Sequence, residues 1–121
     1  IAYRVAITSA QEVPQPSGAA RATGIFSGSL RATGAKATLT WRLSFSNLTG
    51  PAVAAHLHVG KRGKAGAVVA ALCRPCKNGA RGSVALTEAA VAAIESGRAY
   101  VNVHTAKNQA GEVRGQLAGG G

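Results

Sequence analysis

Alternation of apolar and polar residues dominates this chain and is clearest in Lys36–Ser46. There Ala37, Leu39, Trp41, Leu43 and Phe45 fall on one face, and Thr38, Thr40, Arg42 and Ser44 on the other. Successive side chains of a strand point to opposite faces, so a period of two predicts a half-buried antiparallel strand. Residues 22–32 read as its hairpin partner through a turn at Thr33-Gly34. Further strands are expected over 2–10, 52–59, 67–72, 82–86, 98–105 and 112–117, separated by segments rich in Gly, Pro and Asn. Pro14 and Pro16 prevent the first strand from running on. One segment breaks the pattern: Thr87 as N-cap, Glu88 in the first turn, Val91 and Ile94 at helical spacing and Gly97 as a stop predict a short helix. Seven or eight short strands imply an all-β antiparallel β-sandwich, immunoglobulin-like or superoxide-dismutase-like, or a partly closed barrel, with one short helix. A single domain over residues 1–118 is expected, followed by a flexible glycine tail at 119–121.

Composition narrows this picture. Hydrophobic residues make up 46% but aromatics only 4%, so the core must be built from small and branched aliphatics around Trp41, Phe26 and Phe45. No apolar run reaches the length of a membrane span. Without Met or a signal-peptide-like start, the chain reads as a mature or trimmed product. The 14 Lys and Arg against 4 acids, for a net charge of +10, predict attraction to an acidic surface ligand or an acidic protein partner. Specific nucleic-acid binding is not expected, because the chain lacks a recognition helix, an aromatic RNA-binding strand and zinc-finger spacing. All four acids are Glu, which excludes a Ser-His-Asp set. The basic loop Gly60 to Gly66 lacks the ending of a phosphate loop and reads as mobile and solvated.

Candidate chemistry concentrates in the histidines. His56 and His58 emerge on one face of a strand with Leu57 opposite, and His104 shares its face with Asn102 and Tyr100. Imidazole is the commonest protein ligand for copper and zinc, and a strand-borne HxH pair needs one further donor from a neighbouring strand. His56, His58 and His104 are therefore a candidate copper or zinc site; the alternative is a set of hydrogen-bonded polar residues without metal. Cys73 and Cys76 lie in a loop marked by Pro75 and Gly79, with no second CxxC, which favours a local disulfide over a redox pair or half a zinc site. Asn47-Leu48-Thr49 matches an N-glycosylation acceptor.

Several landmarks recur together: Ala10-Gln11-Glu12-Val13-Pro14, His56-Leu57-His58-Val59-Gly60, Gly66-Ala67-Val68-Val69, Tyr100 to Thr105, and Gly111 to Leu117. With these the chain resembles the CHRD domain, the repeated unit of chordin that also occurs as a lone secreted domain in bacteria. The resemblance implies a secreted, periplasmic or cell-surface β-sandwich binding domain with no assigned enzymatic reaction; Cys73 and Cys76 are not part of its pattern. Two of the four acids, Glu12 and Glu112, sit within the landmarks. Glu112 and Arg114 are expected on one strand face beside His104 and Asn102, so that Glu12, Asn102, Glu112 and Arg114 join the histidines either as groups that orient the metal-binding imidazoles or as a structural polar network. The reading that results is a CHRD-type binding domain, with a metal-dependent redox or hydrolytic protein and a basic-surface adhesion module as alternatives.

Overall fold

Eight strands form where the period-two segments lie, and the computed structural model describes residues 1–33 and 36–117 of the chain. They are β1 (Ala2–Thr8), β2 (Thr23–Thr33), β3 (Lys36–Ser46), β4 (Ala54–Val59), β5 (Val68–Cys73), β6 (Ala80–Leu86), β7 (Ala99–His104) and β8 (Val113–Leu117). The expected turn at Gly34 and the glycine tail lie outside the described residues. All neighbours pair antiparallel in the order β5-β4-β7-β8-β1-β2-β3-β6. The edge strands β5 and β6 approach each other, so one continuous sheet rolls into a nearly closed barrel, in line with the expected all-β antiparallel class. Closure suits a long sheet of small residues, because it removes most exposed strand edges.

The interior is aliphatic, as the composition requires. Ile7, Phe26, Leu39, Leu43, Leu57 and Leu117 are fully buried, and β3 alternates exposed and buried along its first eight residues, with Ala37, Leu39, Trp41 and Leu43 inward as predicted. The helix α1 (Glu88–Glu95) turns Ala90, Ala93 and Ile94 inward between β7 and β3, which lie on opposite sides of the rolled sheet. Thr87 caps it by accepting a hydrogen bond from the Ala90 N–H, and Gly97 ends it with a positive φ of 74°.

The outer face of the sheet differs between its two halves. Over β1, β2, β3 and β6 it is largely bare, with Arg4, Arg42 and Arg81 exposed. Over β7 and β8 every residue except His104 is buried, because loops cover the outside as well. One cover is the segment after β1, which leaves the ladder at Thr8 in a single 3₁₀ turn (Ser9–Gln11) instead of continuing to residue 10. Another is the loop between β4 and β5. Its Lys and Arg side chains are exposed, but its backbone is held: Arg114 donates to the carbonyls of Lys64 (2.8 Å) and Lys61 (2.9 Å), and the Gly66 N–H donates to the Tyr100 hydroxyl (2.9 Å). The loop is solvated as expected, and in addition β7 and β8 anchor its backbone from beneath. Gly66 is what lets it fold down, since a Cβ there would run into the Val59 carbonyl.

Candidate metal centre

Strand pairing decides which of the predicted residues meet. His56 faces Asn102 and His58 faces Tyr100 across the β4–β7 ladder, while Ala54 faces His104. The three imidazoles therefore converge on the outer face of two adjacent strands, and one ligand nitrogen from each lies within 4.8 Å of the others. A zinc or copper ion with nitrogens at 2.0–2.1 Å spaces them about 3.4 Å apart, so closing on an ion requires only side-chain adjustment.

The hydrogen bonds around the rings orient them. His58 Nδ1–H donates to the Gly66 carbonyl (2.9 Å), and His104 Nδ1–H donates to the Gln109 carbonyl (2.8 Å). A carbonyl can only accept, so both Nδ1 atoms carry the proton and both Nε2 atoms keep their lone pairs. His104 Nε2 lies 2.9 Å from His56 Nδ1, which donates to it when no ion is present. His58 Nε2 is buried with no partner. A buried lone pair without a donor is costly, and a cation is the group that would satisfy it. Backbone carbonyls holding the distal N–H of two ligands are the usual means of fixing tautomer and ring direction at a metal.

Burial favours the neutral form of His56 and His104. Burial, then the neighbouring His104 and His58, then Arg74, hold His56 below the ordinary histidine value; burial does the same for His104, partly offset by its bond to Gln109. Neutral imidazole is the form that ligates. His56 and His104 also line a pocket of about 420 Å³ with Val53, Ala54, Arg74 and Gln109, which gives the centre access to solvent. Arg74 belongs to the loop closed by the Cys73–Cys76 disulfide, which forms as expected.

The wider polar cluster divides. Arg114 stands beside Asn102 as predicted. Its guanidinium lies 3.5 Å from the centre of the Tyr100 ring, whose other neighbour is His58, stacked at 4.8 Å and 5°. Tyr100, which the sequence marks only as a face-mate of His104, separates the cation from the candidate metal ligand. Glu12 packs against this layer, near Arg114 and the Asn102 amide, and Gly111, at φ 133°, admits it because a Cβ there would strike its carboxylate. Burial raises the Glu12 pKa to about 7 despite Arg114, Asn102 and the Val13 amide, and its Oε2 has no partner.

Glu112 goes elsewhere, which corrects the expected strand-face placement. It precedes β8, and its carboxylate accepts from the Thr49 N–H (2.7 Å), the Thr49 hydroxyl, the Thr105 hydroxyl (2.8 Å) and Asn108 Nδ2 (2.8 Å). It ties the 47–51 turn to the 105–111 loop and touches neither Arg114 nor an imidazole. Thr49, Thr105 and Asn108 were missed because hydroxyls and amides in turns carry no spacing signal. The carbonyls of Gly66 and Gln109 were invisible because any residue supplies one.

Among the described residues no helix is long and apolar enough to cross a membrane. No curated protein and no solved structure matches the chain. The family model of the CHRD domain matches residues 3–117, nearly the whole chain. The chain belongs to the CHRD domain family.

Proposed function

We propose that this chain is an extracytoplasmic CHRD-type binding domain that holds one copper or zinc ion at His56, His58 and His104. The observation that carries the reading is the pair of carbonyl-fixed tautomers at His58 and His104, which leaves two Nε2 lone pairs converging, one of them buried without a partner. The disulfide and the family support a location outside the reducing cytoplasm. When bound, the ion would supply Lewis acidity; the chain's own residues orient the rings, favour neutral His56 and His104 and leave one side open. That open side, beside Arg74, favours a redox or hydrolytic role on an anionic substrate as the second reading.

Copper(II) and zinc(II) titration of protein purified without an affinity tag tests this. One site per chain is expected, with affinity weakening as pH falls and the imidazoles protonate. In the His56→Ala, His58→Ala double variant the site should be lost; unchanged affinity in that variant overturns the proposal.

A further inference from the structure

The bare half of the sheet carries a row of arginines. Arg4 faces Ser27, Ser27 faces Arg42 and Arg42 faces Arg81, so register alone aligns three exposed guanidinium groups in one row across β1, β2, β3 and β6. A parallel row two residues away presents hydroxyls: Ser29, Thr40 and Ser83, with Thr40 Oγ1 and Ser83 Oγ 3.2 Å apart. Between the rows Tyr3 and Trp41 turn their side chains into the core and alternate with Gly28 and Gly82. Only backbone is left between the two rows, which border a groove of about 600 Å³.

We propose that this groove binds a linear acidic polysaccharide. Arg42 directly opposite Arg81 is a like-charge cross-strand pair, which costs folding stability, and none of the four strands contains an acid to offset it. Burial of Glu12 and Glu112 sharpens the imbalance: every Lys and Arg except Arg114 is exposed, whereas among the described residues the only exposed glutamates, Glu88 and Glu95, lie on α1. With strands about 4.8 Å apart, the arginines span about 14 Å, the reach of an extended polymer and not of one small anion. Guanidinium groups pair bidentately with carboxylate or sulfate, and the hydroxyl row suits sugar hydroxyls. A nucleic acid fits less well, because Tyr3 and Trp41 are each only 5% exposed and point inward, leaving no aromatic platform for bases. This site is independent of the metal reading.

Calorimetric titration with two probes tests it: a heparin-derived oligosaccharide and an oligogalacturonate. Both should bind the wild-type chain, and the Arg42→Ala, Arg81→Ala variant should lose affinity about tenfold or more, while Lys61→Ala, Arg62→Ala removes equal charge with a loss below about threefold. A melting temperature at or above wild type is expected for the ladder variant, since a repulsive pair is removed. Arg4→Ala, two strands from Arg42, should weaken binding on its own and serves if the double variant does not fold. Equal losses from ladder and loop variants would mean diffuse charge attraction and overturn the site. Absence of wild-type binding overturns it too, as does single-stranded DNA of matched charge binding the ladder as tightly.

Discussion

Glu12 and Glu112 are both buried glutamates at landmark positions, 2% and 0% exposed, yet their environments drive them in opposite directions. Burial pushes both pKa values up. At Glu112 the donors from Thr49, Asn108 and Thr105 outweigh it and hold the carboxyl below its usual range. At Glu12 burial prevails, and the group sits at about 7 with one oxygen unpartnered. Hydrogen bonds to the charged form, and not depth, decide which buried carboxyl stays ionised. Glu112 is thereby a structural anion that joins two loops, while Glu12 is a proton-holding group behind Asn102 and Arg114.

The largest effect should come from Glu112→Gln, which sets an amide N–H₂ against groups that donate. A loss of about 2 to 3 kcal/mol in urea unfolding at pH 7 is expected, with metal affinity unchanged. Because the folded pKa lies below the unfolded value, Glu112 contributes fully above pH 4.5 and its contribution fades as pH falls through the lower folded value, so the penalty should shrink in acid. A metal affinity lowered tenfold or more, with stability intact, would instead make Glu112 a partner of the histidines, on the scale of about 10- to 100-fold for the loss of a group that orients a metal ligand.

Glu12→Gln should act with the opposite sign. The protonated form is favoured by the fold, so the contribution of Glu12 is fully present below pH 4.5 and is lost as pH rises through about 7. Measured as the difference between wild type and variant, Glu12→Gln is expected to be near neutral at pH 5 and stabilising by roughly 2 kcal/mol at pH 8. A variant equally destabilised at both pH values would show that Glu12 is held as an anion, like Glu112.

Thr49→Val sharpens the contrast at the smallest scale. It removes one hydroxyl donor from Glu112 but keeps the Thr49 backbone N–H, so a loss of about 1 kcal/mol is expected, with the Glu112 titration moved upward. Carboxyl chemical shifts followed by NMR across the acid range check it. No movement would mean that the hydroxyl is not a significant part of the stabilisation.

Period-two patterning in the sequence was enough to place the strands, the inward face of β3 and the shared face of His56 and His58, because each is a property of local backbone geometry. The capped helix and the Cys73–Cys76 bridge were legible for the same reason: their partners lie three residues apart. The tertiary structure decided the rest. Pairing of β4 with β7 brings together His56 and His104, 48 residues apart, and pairing of β3 with β6 sets Arg42 against Arg81. It also laid loops over one half of the outer face and left the other bare, so one half orients imidazoles through backbone carbonyls while the other exposes guanidinium groups to solvent. Glu112 and Glu12 look alike in the sequence because a side chain's own identity does not say which distant donors will reach it. That depends on where the 47–51 and 105–111 segments come to rest.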